Sequence, residues 1–530
     1  MIVGWRGGPF CGLAHATYIV VRNERAKLFG GSNVAAVIEK ELLCKDFLTK
    51  SKKLLIDGKW VDAESGKTFE TYNPATEEVL TRVAEGGKAD VDKAVKAARK
   101  AFESGPWRKM SNAERAKLMF KLADSIEAHA DELAQLETLD NGKPIKESRY
   151  VDVAQTIETF RYYGGWATKL EGETINANSD FFTYTLREPI GVVGQIIPWN
   201  FPMLMAAWKL GPALACGNTV ILKPAEQTPL TALRIGELAM ECGFPEGVIN
   251  IITGFGADSA GSALANHMDV DKIAFTGEDK TGREILKASL GNLKRVSLEL
   301  GGKAPNIVFA DADIDAAVRG AITGIFFNQG QVCCAGSRLF LEKPIHDEFM
   351  SKLLERVGKM RQGQGMDEKT HIGPQVSKEQ QERVLNYIDI AKKEGAKLEC
   401  GGMAPEELGK GYFVKPTIFT GVNNDMRIAQ EEVFGPVLAV IPFNNIEDVA
   451  EQANKTTFGL SGAVWTKDIK KAHRLAGKIK AGTVWVNCYN LLDPAIPFGG
   501  YKMSGYGREL GKHSIELYTN IKSVWVNLAE

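Results

Sequence analysis

Gly191-Val192-Val193-Gly194-Gln195-Ile196-Ile197 opens a region in which short apolar runs alternate with segments of helical spacing. Further apolar runs occur at 219–222, 248–252, 273–276 and 296–300. Helical patterns lie between them, over 203–214, 231–242, 259–266 and 281–289. This alternation predicts a parallel, doubly wound sheet with helices on both faces. The ligand of such a sheet lies outside the carboxyl ends of its strands.

Upstream, Val91, Ala94, Val95, Ala98 and Phe102 form an apolar stripe behind Asp90. Ser111-Asn112-Ala113-Glu114 reads as a capping box opening a long amphipathic run, which stops near Asn141-Gly142-Lys143-Pro144. Downstream, a second α/β block begins near Gly301 and runs to about Gly500. Its last clear unit is a strand at 464–466, a helix at 468–479 and a strand at 483–487. Segments 180–188 and 521–527 read as strands belonging to neither block. An unpaired sheet edge there is a liability in a monomer.

The 530 residues are too many for one small core and suggest two or three domains. Apolar residues make up 44% and charged residues 25%, ordinary values for a soluble globular protein. The net charge of −1 gives no electrostatic case for nucleic acid or an anionic membrane. No apolar run reaches the roughly 18 residues of a membrane helix. The eight cysteines show no disulfide or zinc spacing, which points to a reducing compartment. A cytoplasmic location is expected, or an organellar matrix if the N-terminus is a transit peptide. Residues 1–53 are expected to be a disordered extension or a non-native start. Their arginines, Arg6, Arg22 and Arg25, make a targeting peptide the alternative.

The chemistry centres on Phe326-Phe327-Asn328-Gln329-Gly330-Gln331-Val332-Cys333-Cys334-Ala335-Gly336. Upstream, Glu299 interrupts the apolar stretch Leu298-Glu299-Leu300-Gly301-Gly302, and Pro198-Trp199-Asn200-Phe201-Pro202 follows the first strand. Paired cysteines beside glycine are more often small core residues than nucleophiles. A thiol, a carboxylate able to serve as base and an amide able to hold an oxyanion nonetheless suggest covalent catalysis on a carbonyl. The histidines show no paired ligand spacing, so no metal is expected.

These motifs occur in order with Leu222-Lys223-Pro224-Ala225-Glu226, Glu431-Glu432-Val433-Phe434-Gly435-Pro436 and Pro497-Phe498-Gly499-Gly500. From about Leu54 to the C-terminus the chain resembles the NAD(P)-dependent aldehyde dehydrogenases, in particular the class that oxidises ordinary aldehydes to acids. The resemblance implies a Rossmann-like cofactor domain from 54–170 and 190–301, and a catalytic α/β domain at 302–503. It also implies a small β oligomerisation element from 171–189 and 519–530, in a homotetramer or homodimer. Cys333 would be the nucleophile, Glu299 the base that activates water, and Asn200 the oxyanion donor together with the Cys333 N–H. Cys334 would be a pocket wall. Phe201, Met205, Trp208, Leu492 and Phe498 would line an apolar tunnel for a small-molecule aldehyde.

For the cofactor, the resemblance places Trp199 at the site and Lys223 and Glu226 at the adenosine ribose. A carboxylate there favours NAD over NADP. Gly277 to Gly282 would form the pyrophosphate corner. Glu432 and Phe434 would hold the nicotinamide ribose, with Gln380 and Arg383 on a helix beside it. The chain departs from the family at Glu278 and Asp279, where Ser and Thr are usual, and at Arg383, where Lys is common. One carboxylate facing phosphate at about 5 Å costs roughly 3 kcal/mol at an effective dielectric of about 20. Two acids turned to water would instead complement the helix dipole. The competing expectations are a CoA-acylating dehydrogenase, against which Glu299 argues, and a fold-retaining protein with weakened cofactor binding.

Overall fold

The apolar runs become strands because both of their faces are covered. In the computed structural model, which describes residues 42–529, the strands Val192–Ile196, Thr219–Lys223 and Lys272–Thr276 are buried at every position. They pair in parallel with one another and with Ile249–Ile251 and Arg295–Glu299. The full sheet runs in the order 505–506, 295–299, 272–276, 192–196, 219–223, 249–251, 54–56, 59–61. The strands at its two ends are antiparallel to their neighbours. The helix Pro202–Ala215 is buried on all sides, and its first-turn proline needs no hydrogen-bond donor there.

A second sheet has the order 397–400, 417–420, 437–443, 338–342, 305–308, 461–465, 483–486. All its pairings are parallel except that of Lys397–Cys400 with Thr417–Thr420. Its core joins Ile307, Phe340, Val384, Ile388, Phe419, Ile441 and Val464. The predicted helix at 468–479 is observed as Ile469–Lys478, capped by Asp468, whose side chain accepts from the Lys470 and Lys471 N–H groups. A three-stranded antiparallel sheet pairs Phe181–Pro189 with Thr519–Asn527 and with Thr174–Ile175. Phe182, Leu186, Ile521 and Trp525 are exposed on it.

The structure differs from expectation in two places. The run from Ser111 is two helices, Asn112–Ala128 and Ala130–Asn141, joined at His129. The His129 ring binds the Ser125 carbonyl at 2.8 Å, and its backbone leaves the helical region. Residues 42–53, the described part of the stretch assigned to 1–53, carry regular structure. Lys45–Leu48 is helical, Cys44 and Phe47 are buried, and the Lys52 ammonium lies 3.5 Å from the Phe47 ring centre. The expectation for residues 1–41 lies outside the described residues. Among the described residues no helix is long and apolar enough to cross a membrane.

Candidate active site

Register brings the carboxyl ends of four parallel strands together. Ile196 lies opposite Phe275 and Lys223, and Thr276 lies opposite Glu299. The chain leaving these ends therefore carries Trp199 and Asn200, Lys223 and Glu226, and Gly277 and Glu278 to one edge. Glu299 is itself the last residue of its strand.

The cysteine loop comes to this edge from the second sheet. After the helix Ile314–Phe326, Asn328, Gln329 and Gly330 take φ values of 46°, 56° and 75°. Left-handed backbone at two non-glycine residues is strained and persists only where its surroundings enforce it. Here the Asn328 N–H donates to Glu147 Oε2 at 3.0 Å, and the Gln329 amide donates to the Pro374 carbonyl at 3.2 Å. A side chain at Gly330 would meet the Gly435 carbonyl at 2.2 Å, so the cysteine loop and the 431–436 loop touch backbone to backbone.

Asn200 is buried, and its Nδ2 donates to the Gln331 carbonyl at 2.9 Å, two residues before Cys333. That bond uses one of two amide hydrogens and leaves the other for an incoming oxygen. Gly302 abuts the cysteine loop: a Cβ there would meet the Cys333 carbonyl at 2.4 Å. Glu299, three residues earlier, is buried, and neither carboxyl oxygen has a hydrogen-bond partner among the described residues. Burial, then the negative charge of Glu509, holds its carboxyl well above the usual carboxylate range, with Lys209 and Arg508 opposing. Lys209 pairs with Glu509 and donates to Thr276 Oγ1 at 2.7 Å. The Cys333 thiol, half-buried, is raised well above its ordinary value by its hydrogen bond with Cys334, by burial, and by the charges of Cys334, Glu432 and Glu299. Cys334 is buried, its thiol directed to Asn490 Oδ1 at 3.5 Å and its carbonyl accepting from the Tyr489 hydroxyl at 2.9 Å.

The residues expected at the cofactor also converge. The buried Lys223 ammonium lies 3.4 Å from Glu226 Oε2. Burial lowers its pKa and Glu226 opposes the shift. Gln380 and Arg383 sit one turn apart on the helix Lys378–Lys393. Gln380 Nε2 donates to the Phe434 carbonyl at 2.8 Å, and an Arg383 Nη donates to the Glu432 carbonyl at 3.1 Å. Trp199 and Phe434 meet edge to face with centroids 5.2 Å apart. Glu432 accepts from the Gly302 N–H at 2.9 Å, and burial raises its carboxyl to about 7. Gly277 donates its N–H to the Glu299 carbonyl at 3.1 Å, and a Cβ at Gly282 would meet the Leu300 side chain at 2.9 Å. At the departure from the family pattern, Glu278 Oε1 faces Arg383 at 3.3 Å, whereas Asp279 pairs with Arg283 on its own helix at 2.7 Å. The two acids thus face different ways, and a cation meets Glu278.

Phe201, Met205, Trp208 and Phe498 are buried; Leu492 is half-buried. Trp208 packs edge-on against Phe498 at 5.5 Å, and Phe201 stacks on Phe327 at 5.9 Å. Sequence reasoning passed over Lys209 and Glu509 beside Glu299, and Asn141, Lys143, Glu147 and Asn328 behind Asn200. A lone lysine inside the apolar helical run 203–214 was the available signal for the first of these.

The chain matches the model of the aldehyde dehydrogenase family over residues 60–524. It is 54% identical over 480 residues to human mitochondrial aldehyde dehydrogenase, covering 90% of this chain and 92% of that one. It is 53% identical over 489 residues to chicken aldehyde dehydrogenase 1A1, covering 92% and 95% of the two chains. Its structure resembles the NAD⁺ complex of the aldehyde dehydrogenase from Bacillus cereus, with a TM-score of 0.90, 54% identity and coverage of 92% and 98%.

Proposed function

The chain belongs to the aldehyde dehydrogenase family, and we propose that it is an NAD-dependent enzyme that oxidises an aldehyde to a carboxylic acid through a thioester on Cys333. The observation that carries this reading is Glu299: a carboxyl buried beside the cysteine loop, with both oxygens unpartnered among the described residues. A carboxyl in this position is free to take a proton from a water that attacks an acyl group on the cysteine loop.

The residues fit the cofactor found in the Bacillus cereus complex. Glu226 offers a carboxylate for ribose hydroxyls, Arg383 keeps a buried Nε without a partner among the described residues, and Glu432 holds its carboxyl at the start of the second block. When bound, NAD supplies the oxidant that takes the hydride from the substrate carbon. Cys333 attacks the aldehyde carbon as the thiolate. The free N–H of the Asn200 amide and the Cys333 N–H donate to the oxyanion. Collapse leaves the thioester; Glu299 then takes a proton from water as its oxygen attacks the acyl carbon, and the acid departs with Cys333 restored. Phe201, Met205, Trp208, Leu492 and Phe498 would receive the apolar part of the substrate. Residues 54–170 and 190–301 would carry the cofactor and 302–503 the nucleophile, while 171–189 and 519–530 would form the subunit contact of a homodimer or homotetramer. NADH absorbance on mixing the protein, NAD and a medium-chain aldehyde tests the reaction. No absorbance with any aldehyde overturns it.

Glu278→Ser should tighten NAD binding, because it frees the Arg383 guanidinium and removes a carboxylate from the pyrophosphate corner. A tenfold fall in Kd corresponds to about 1.4 kcal/mol. Adding Asp279→Thr should contribute little, since Asp279 is engaged with Arg283. The gain should shrink at high salt, and NADP should stay the poorer cofactor while Glu226 remains. Calorimetric titration at two salt concentrations measures this; unchanged Kd would mean that Glu278 never faces the cofactor.

A further inference from the structure

Behind Asn200 lies a group of buried charges that the chemistry above does not use. Lys143 is fully buried and donates to Asp152 Oδ1 at 2.8 Å, with Glu137 Oε1 at 3.8 Å. Glu137 also accepts from the Thr231 hydroxyl at 2.7 Å. Burial raises the Glu137 and Asp152 carboxyls, and the Lys143 ammonium opposes both shifts. Glu147, half-buried, accepts from the Asn328 N–H. A buried ion pair of this kind is weak support for stability, because desolvation consumes most of the Coulombic gain.

The Lys143 ammonium has two further contacts, on adjoining residues. Nζ donates to the main-chain carbonyl of Asn200 at 3.0 Å and lies 4.2 Å from the centre of the Phe201 ring. Asn328 Nδ2 donates to the same carbonyl at 2.8 Å and to the Gln331 carbonyl at 3.3 Å. Asn141 Nδ2 binds the adjoining Trp199 carbonyl at 2.8 Å. The Asn200–Phe201 peptide is therefore gripped from the cofactor side by Lys143 and from the cysteine loop by Asn328. The side chain of Asn200 is fixed in turn by the Gln331 carbonyl. Among the groups on the Asn200 carbonyl only Lys143 carries a full charge, and charge-assisted bonds are about twice as strong as neutral ones.

We propose that Lys143 is a positioning residue for the oxidation, fixing the Asn200 backbone so that the free N–H of its amide points at the developing oxyanion. The inference rests on the reading of Asn200 as the oxyanion donor. Lys143 acts only through Asn200, and Asp152 and Glu137 hold its ammonium in place.

The test is a mutant cycle of Lys143→Met and Asn200→Ala on the stopped-flow NADH burst, with an aldehyde that the wild type turns over. NAD affinity by titration and Cys333 alkylation by iodoacetamide are measured alongside. Lys143→Met should slow the burst about tenfold or more, Asn200→Ala should slow it about 10²-fold, and the double variant should be no slower than Asn200→Ala alone. NAD affinity and alkylation, which need no oxyanion donor, should stay within about threefold. Lys143→Arg keeps the charge but not the compact ammonium; it serves if the methionine variant does not fold, and it should show the same non-additive slowing. A normal burst in either Lys143 variant, or losses that multiply in the double variant, overturns the proposal. Parallel collapse of burst, alkylation and NAD binding also overturns it, since that is the signature of a purely structural role. A wild-type burst in Asn200→Ala would instead remove the oxyanion assignment itself, and this inference with it.

Discussion

Cys333→Ala is expected to abolish aldehyde oxidation, by at least about 10⁴-fold, and any esterase activity with it, while NAD binding persists. The neighbouring thiol is not placed to take over the step. Cys334 is adjacent in sequence, but its thiol is turned to Asn490 and its carbonyl is held by Tyr489. Cys334→Ala should therefore retain most turnover. It should also move a second observable. The hydrogen bond with Cys334 is the largest cause that raises the Cys333 thiol. Removing it lowers that pKa, so the pH at which iodoacetamide alkylation of Cys333 rises should shift downward in Cys334→Ala. Steady-state rates and alkylation profiles of the two variants check this. Equal loss of turnover in both would sink the choice of nucleophile.

A cysteine needs help to become a thiolate at neutral pH, and around Cys333 the protein's own groups push the other way. This could not be read from the chain, because it depends on Glu299, Glu432 and Cys334 closing around one atom. What could be read follows from local rules. Strands buried on both faces leave continuous apolar runs, so 192–196, 219–223 and 272–276 were visible, and residues just past those runs had to meet at one edge. The roles of Asn200, Glu299 and Lys223 rest on their motifs and the family resemblance rather than on this pattern. Lys143 was legible only as part of a helix stop at Asn141-Gly142, because its partner Asn200 lies 57 residues away. Glu278 raised a true question, but its answer, Arg383, stands 105 residues downstream on another element. The break at His129 was missed for a different reason: one side chain competing for a helix carbonyl carries no Gly or Pro signal.

Glu299→Gln should separate the two half-reactions. The amide keeps the size of the side chain but cannot take a proton from water, so acylation should proceed and hydrolysis should stall. The expected trace is a stoichiometric NADH burst followed by turnover slowed by about 10²–10⁴-fold, the usual contribution of a general base. The pH profile adds an independent handle. A base works only when deprotonated, and burial with the Glu509 charge holds the Glu299 carboxyl well above the ordinary range. Wild-type deacylation should therefore rise with pH along a limb displaced upward from that of a free carboxylate. That limb should vanish in Glu299→Gln, leaving a residue that does not titrate. Glu509→Gln should move it downward, because removing the neighbouring negative charge makes the Glu299 carboxylate easier to form. Rapid-mixing kinetics across pH on the three proteins measure all of this. Full steady-state activity in Glu299→Gln, or an unchanged limb, would show that another group activates the water. The two unpartnered oxygens of Glu299 would then need a different explanation, and the proposed hydrolysis of the thioester would lose the observation on which it stands.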